Sequence, residues 1–235
     1  MQQLNRSSRE ASIKMRPTSI AWYDEGEDEA DWMFYNIQYS EGLKVKSYTS
    51  KDYSLIKNIS YSYNNNSITK TISSQNGSSD EEIFSLSNGK IISGMGYSYQ
   101  YDDNKLLKTI DGDSEAVNSW SNGNILQRTW NKSTSEYTYM DNPMYVWVQT
   151  EYEGSAEEIF ENCDPFLVRQ GYYGQIPSNL IKQISEYDGY NDRTDVVRYQ
   201  YQLNDNGYPI QITRTSTYGG SSSETIIVKI EWEKY

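Results

Sequence analysis

The sequence predicts an all-β protein, a long antiparallel meander of roughly 12–14 strands that curls into a barrel or half-barrel. Three observations predict this fold. Tyrosines alternate with polar residues, which places them on one face of an extended chain. Asn, Asp and Gly residues cluster between the alternating runs, as in hairpin turns. Finally, a strand–turn–strand unit recurs, most clearly at residues 97–110, where alternating tyrosines precede Asp102-Asp103-Asn104.

The recurring unit begins with a Tyr-x-Tyr sequence. Copies at Tyr61–Tyr63, Tyr99–Tyr101 and Tyr137–Tyr139 are equally spaced, and a later copy is Tyr199–Tyr201. Each copy is followed by a turn rich in Asn or Asp. A short unit that cannot bury its own apolar face repeats so that its neighbours cover that face. We therefore interpret the tyrosines chiefly as packing partners between strands, with binding as the alternative.

In chain order, residues 1–17 are predicted to be a flexible lead-in, and 18–235 a single antiparallel β domain. The acidic run at 24–31 is interpreted as a solvated turn, because it lacks the residue order of a calcium loop. The segment 111–115 is likewise interpreted as a hairpin turn. The strand signals lie at 18–23, 32–39, 43–49, 55–63, 67–73, 81–86, 90–95, 97–101, 105–110, 181–187, 194–203, 208–217 and 224–234.

Residues 154–180 interrupt the repeat. Ser155 and Glu158 fit a capping box, which predicts one short helix near 155–162. The Asp164-Pro165 pair is interpreted as the end of that helix. Cys163, the only cysteine, is interpreted as a buried small residue rather than a nucleophile.

Composition excludes several classes of function. The chain carries 33 acidic against 21 basic side chains, a net charge of -12, so nucleic acid is not an expected partner. It contains no histidine, which excludes His-dependent triads and His-ligated zinc. We recognise no cofactor or metal motif, and therefore expect no cofactor.

The sequence does not predict a membrane-spanning protein. It lacks an apolar run of the roughly 20 residues that a membrane helix needs. Strands around 127–129 and 198–200 carry charged and amide groups where a membrane barrel needs an apolar band. The first residues are polar and do not resemble a signal peptide, which leaves open a cytosolic protein or an exported one whose leader has been removed.

Aromatic residues outside the repeat are the candidates for ligand binding. Tryptophan and tyrosine rings stack on sugars and concentrate at interfaces. Trp120, Trp130 and Trp147 fall outside the repeated pattern, and Tyr172 and Tyr173 lie in the interruption. These five residues are our predicted ligand-binding positions; no catalytic residue is predicted.

The repeat resembles that of YD-repeat proteins and, more closely, the DUF4595 family of secreted Bacteroidetes proteins with a porin-like fold. The resemblance rests on the units Tyr61–Ile72, Tyr99–Ile110 and Tyr199–Ile212, together with the interruption at 171–181. It spans most of residues 32–235. It implies export, often as a lipoprotein in the periplasm or at the cell surface, and it offers no catalytic residues.

We therefore expect an exported, non-enzymatic binding or scaffold protein of the bacterial envelope, with a glycan or an envelope protein as partner. One alternative is a glycan-active enzyme using two carboxylates about 5–9.5 Å apart. Another is a purely structural surface repeat, whose edge strands would pair between chains.

Overall fold

The structure is a computed structural model that describes residues 14–28, 33–52, 55–143, 160, 162–220 and 222–235. Within these residues the chain forms sixteen strands and one short helix, α1, at Pro165–Arg169. The strands are β1 Met15–Asp24, β2 Met33–Glu41, β3 Lys44–Asp52, β4 Leu55–Tyr63, β5 Ser67–Ser74, β6 Ser79–Ser87, β7 Lys90–Gly94, β8 Tyr97–Asp102, β9 Lys105–Asp111, β10 Ser114–Ser121, β11 Asn124–Trp130, β12 Ser133–Pro143, β13 Asn179–Asp188, β14 Arg193–Leu203, β15 Pro209–Tyr218 and β16 Ser222–Lys234.

Every strand pairs antiparallel with its sequence neighbours, and β1 pairs with β16 to close the barrel. In that closing pair, Ile20 lies opposite Ile230 and Trp22 opposite Val228. The predicted all-β antiparallel meander is confirmed, and the sheet is closed rather than open. It has more strands than the turn signals predicted, because polar stretches such as Ser114–Ser121 are also strands.

The predicted boundaries differ at two places. Strand β1 begins at Met15, so the last residues assigned to the lead-in are already in the sheet, while 1–13 lie outside the described residues. The described helix is α1 at Pro165–Arg169, whereas most of the predicted helix near 155–162 lies outside the described residues. The interpretation of Asp164-Pro165 as the end of the helix near 155–162 stays a prediction, and the structure shows that the same pair starts α1. Asp164 is the N-cap of α1 and Pro165 its first residue, where a missing N–H costs nothing.

The barrel has two rims, which differ in their connections. We call upper the rim where an even-numbered strand turns into the next odd-numbered one, and lower the opposite rim. The connection from β12 to β13 leaves from the upper rim and returns to it. We call its described residues, 160 and 162–178, the plug, because several of them, among them Phe166 and Tyr173, are buried in one core cluster with inward-facing strand residues. No helix in the described residues is long and apolar enough to cross a membrane.

The core lies between the plug and the inward faces of the strands. Alternate strand residues point inward and are buried, including Ile68, Leu106 and Ile125. Phe160, Phe166 and several other plug residues are equally buried and belong to the same cluster. Cys163 is also buried, as predicted. The plug is thus part of the core of the barrel.

The Tyr-x-Tyr repeat has a structural explanation. The first tyrosine of each copy is buried against the core; these are Tyr61, Tyr99, Tyr137 and Tyr199. The second lies close to the upper rim, where an even-numbered strand has separated from the odd-numbered strand before it. For example, the β3–β4 ladder ends at the Ser47–Ser60 pair, and beyond it the Tyr63 hydroxyl donates to the Val45 carbonyl at 2.6 Å.

The same hydrogen bond recurs around the barrel. Seven even-numbered strands use an aromatic O–H or N–H to satisfy a carbonyl of the preceding strand, a group that would otherwise be buried without a partner. We call these residues the capping aromatics: Tyr39, Tyr63, Tyr101, Trp120, Tyr139, Tyr201 and Trp232. The exception is β6, where the backbone N–H of Leu86 bonds the Asn66 carbonyl directly and no side-chain donor is needed.

Candidate functional site

The plug is held by one fully buried carboxylate, Asp164. As the N-cap of α1, its Oδ1 accepts hydrogen bonds from the backbone N–H groups of Phe166 and Leu167, each at 3.0 Å. The hydroxyl of Tyr61 on β4 donates to Oδ2 at 2.9 Å. One side chain therefore both starts the helix and fixes it to the barrel wall.

A buried ion pair completes this anchor. The Lys70 ammonium on β5 lies 3.1 Å from Asp164 and 3.2 Å from Glu82. Burial is the largest single influence and lowers the pKa of Lys70, but the neighbouring groups, Asp164 first and Glu82 with it, together outweigh burial and raise that pKa, so the lysine stays charged. Burial, followed by the Asp164 charge, raises the pKa of Tyr61 far above its usual value. The anchor is thus a charged pair with a protonated tyrosine.

Aromatic rings join the plug to the same strands. Phe166 stacks on Tyr48 with ring centroids 4.0 Å apart and meets Tyr35 edge-on at 5.4 Å. On the other side of the plug, Tyr173 packs edge-on against Tyr99 at 5.0 Å. The inner faces of β2, β3, β4 and β8 are therefore occupied by contacts with the plug.

The end of the plug is bonded to the turns of the upper rim. The N–H of Gln175 donates to the Asn104 carbonyl at 2.6 Å, and the N–H of Ser178 to the Gly123 carbonyl at 3.0 Å. Gly174 has a φ of +83°, and a Cβ there would collide with the Asn104 carbonyl. Glycine is thus required on two counts, its backbone angle and the close approach to the turn.

The predicted binding residues make mostly internal contacts. Tyr173 is fully buried, and Tyr172 stacks on Tyr63 with ring centroids 6.1 Å apart. Trp120 is a capping aromatic, donating to the Leu106 carbonyl at 2.9 Å. Trp130 is half-buried at the lower-rim end of β11, and Trp147 lies outside the described residues. The structure does not bring the four described residues together as one surface, and the predicted role of all five in binding stays a prediction.

A concave groove lies on the outer wall across β1–β5, with a volume of about 460 Å³. Every residue lining it is uncharged. Its outward side chains are amides and hydroxyls, chiefly Asn36, Gln38, Ser47, Thr49, Asn58 and Ser60. We call this surface the outer groove. Tyr48, between Ser47 and Thr49, points inward onto Phe166, so the groove lies directly behind a contact of the plug.

Hydrogen bonds between strands orient the amides of the outer groove. The Ser47 hydroxyl donates to Gln38 Oε1 at 3.3 Å, and the Thr49 hydroxyl to Asn58 Oδ1 at 3.1 Å. Each amide uses its oxygen within the wall, which leaves its NH₂ group available to another partner. The arrangement offers fixed, neutral hydrogen-bond donors on a concave surface.

Sequence reasoning did not identify this groove. The sequence does contain one signal of the groove: the outward positions of β2 to β4 around Asn36 and Asn58 are uncharged polar residues. The concavity could not be predicted, since it depends on how β1–β5 are arranged in three dimensions.

Comparisons with known proteins support the fold. No protein-family model and no curated protein matches the chain. A porin-like protein from Bacteroides uniformis has a similar structure, with a TM-score of 0.63 at 15% identity, covering 92% of this chain and 96% of that one. A porin-like protein from Bacteroides vulgatus aligns with a TM-score of 0.55, also at 15% identity, covering 92% and 97%. The chain therefore has the porin-like barrel fold.

Proposed function

We propose that this chain is an exported, non-enzymatic binding or scaffold protein of the bacterial envelope, which acts through the outside of its barrel. The carrying observation is the plug: Phe166 and Tyr173 pack on the inner wall, so the inner face serves the core. The outer groove supplies a concave surface for a glycan or an envelope protein.

The chemistry of the groove supports binding rather than catalysis. Its outward side chains are amides and hydroxyls, which form hydrogen bonds but do not exchange protons near neutral pH. Such groups position a partner without activating a bond in it.

We further propose that the outer wall faces water rather than lipid. Charged side chains point outward from the strands, among them Lys182, Arg198 and Lys229, and all three are exposed. On the lipid face of a membrane barrel, each lysine or arginine costs about 2–4 kcal/mol at the bilayer midplane. The barrel is therefore proposed to lie beside the membrane, not within it.

The envelope location rests on similarity. The two porin-like structures described above come from Bacteroides, and the repeat resembles the secreted DUF4595 proteins. We propose that the chain is a member of that family, located in the periplasm or at the cell surface, and carried there as a lipoprotein.

The test combines location with conductance. A Bacteroides strain expressing the full gene is fractionated and treated with protease, and we expect the protein in the periplasm or on intact cells. The purified barrel, added to a planar bilayer, should remain soluble without detergent and give no channels.

A cytosolic location would contradict the proposed export. Stable channels in the bilayer would contradict the proposal that the protein acts through its outer wall, because they require an open lumen and insertion in lipid.

A further inference from the structure

The geometry points to the outer groove as a binding site for an uncharged carbohydrate chain that lies across β2, β3 and β4. This inference rests on the proposed function and names the partner class. Three observations carry it: the concavity, the uncharged lining, and the fixed amides Gln38 and Asn58.

The volume suits a small segment of a polymer. At about 460 Å³, the groove lies within the range of roughly 300–1,000 Å³ typical of ligand sites. Its axis crosses several strands, so hydroxyls from Ser47 and Ser60 lie on different strands of one surface. A ligand that spans them must carry hydrogen-bonding groups at several points along its length, as a sugar chain does.

Charge selects among polymers. The chain carries 33 acidic against 21 basic side chains, yet the groove is lined by neither sign. An acidic glycan would leave its carboxylates or sulfates without a cationic partner in the groove, and the overall charge of -12 repels it. A neutral glycan has no charged group that needs a partner, so the uncharged lining does not weaken its binding.

The amides are already oriented before a ligand arrives. Gln38 and Asn58 are held through their oxygens by Ser47 and Thr49, so less side-chain freedom is lost on binding. Their NH₂ groups donate to sugar hydroxyl oxygens, and Ser60 can donate or accept.

Matched variants make the test specific. Gln38, Gln100 and Gln200 each precede a capping aromatic and each is exposed, but only Gln38 lines the groove. The test variant is Q38A/N58A and its control is Q100A/Q200A. A second pair blocks the space: Ser60→Tyr places a ring in the groove, whereas Ser62→Tyr places one two residues further along the same face of β4.

The purified protein is titrated by calorimetry and NMR with neutral oligosaccharides (glucan, mannan and xylan fragments) and with acidic ones such as oligogalacturonate. We expect the protein to bind at least one neutral oligosaccharide. Salt at about 0.5 M should leave the affinity unchanged, because an uncharged ligand makes no ion pairs that salt could screen. Q38A/N58A should weaken it about tenfold or more, since each lost hydrogen bond contributes about 1 kcal/mol. Ser60→Tyr should abolish binding; both controls should bind as the parent does.

Three results would overturn the inference: no binding to any neutral oligosaccharide, binding of acidic ones alone, or equal losses in the test and control variants. Melting curves of all four variants show whether each is folded. An envelope location without glycan binding would sink this inference and leave the proposed function standing, whereas a cytosolic location would remove the proposed function itself.

Discussion

At the scale of single residues, Asp164 is the point on which the plug depends. It accepts hydrogen bonds from the start of α1 and from Tyr61, and it pairs with Lys70. A buried pair of this kind is expensive to break, because removing Asp164 leaves the buried Lys70 ammonium with the more exposed Glu82 as its counter-charge. The residue is therefore structural, although a buried acid beside a tyrosine resembles a catalytic site.

We expect Asp164→Asn to lower the free energy of unfolding by about 3–5 kcal/mol, because Lys70 loses its nearest counter-charge. Urea unfolding measures the change. Adding Lys70→Met should recover part of the loss, and Asp113→Asn in an exposed turn should change stability by less than about 0.5 kcal/mol. A loss at Asp164 that Lys70→Met does not relieve would show that the ion pair is not its cause.

The capping aromatics give a second prediction for single residues. Tyr139→Phe removes the donor to the Ile125 carbonyl and should cost about 1–3 kcal/mol, because that carbonyl loses its partner. Tyr190→Phe is the control, since that side chain is 65% exposed. Thermal and urea unfolding measure the loss of stability in both variants. Equal losses would mean that the hydrogen bond of the Tyr139 hydroxyl contributes nothing to stability.

At the scale of elements, the hairpin repeat could be predicted from the sequence, but the roles of its two tyrosines could not. Alternation and turn residues around Tyr99 and Tyr101 sufficed to predict strand, turn and strand. The distinct roles of the two tyrosines, one in the core and one capping the Ile91 carbonyl, depend on where neighbouring strands separate. The start of α1 was not predicted, because Asp-Pro serves equally as the end and as the start of a helix, and the Tyr61 partner of Asp164 is distant in sequence.

The bond between the plug and the upper rim can be tested at two glycines. Gly174→Ala should destabilise the protein strongly, because it combines a φ of +83° with a collision at the Asn104 carbonyl. Gly171→Ala has almost the same φ, +82°, but nothing within 4 Å of the new Cβ, so it measures the backbone cost alone.

We expect Gly174→Ala to lose more stability than Gly171→Ala and to speed amide hydrogen exchange at Gln175 and Ser178, whose N–H groups bond the rim. Equal losses and unchanged exchange would show that the close approach at Asn104 is relieved at no cost.

At the scale of the whole molecule, a closed barrel packed with tyrosine has a characteristic response to base. Burial raises the pKa of many tyrosines: that of Tyr39 to about 12, and those of Tyr61, Tyr137, Tyr173 and Tyr201 well above the usual value of a tyrosine. Below about pH 10 both folded and unfolded chains hold these protons, so stability does not depend on them. Above it the unfolded chain loses protons that the folded barrel keeps, and stability falls.

Each such tyrosine removes about 1.4 kcal/mol per pH unit above 10. Several together should offset a typical stability of about 5–15 kcal/mol within one to two units. We expect flat urea-unfolding stability from pH 7 to 9, and cooperative loss of near-UV circular dichroism with tyrosinate absorbance above pH 10. Tyrosinate forming with a midpoint near 10 in a barrel that stays folded would contradict the prediction.

The whole fold was more predictable than its surface. Periodicity and turn chemistry predict a meander, and a meander whose inward residues are apolar closes on itself to bury them. The outer groove could not be predicted, because Asn36 and Asn58 look like ordinary outward strand residues until the bend of the wall is known. The tryptophans were predicted to bind a ligand because they fall outside the Tyr-x-Tyr repeat. Trp120 nevertheless belongs to the capping aromatics, because its indole N–H donates to a carbonyl as a tyrosine hydroxyl does.

Closure by β1 and β16 has a consequence for how the ring assembles. The Arg16–Glu233 contact joins residues 217 positions apart, so the seam brings together opposite ends of the sheet. Until β16 docks, β1 and β15 each present an unpaired edge, and loop-closure entropy opposes the joining. We therefore expect the ring to close late in folding. While the pairing of β1 with β16 is incomplete, two molecules can exchange their final strands. Domain-swapped dimers should therefore be the main by-product of refolding at high concentration.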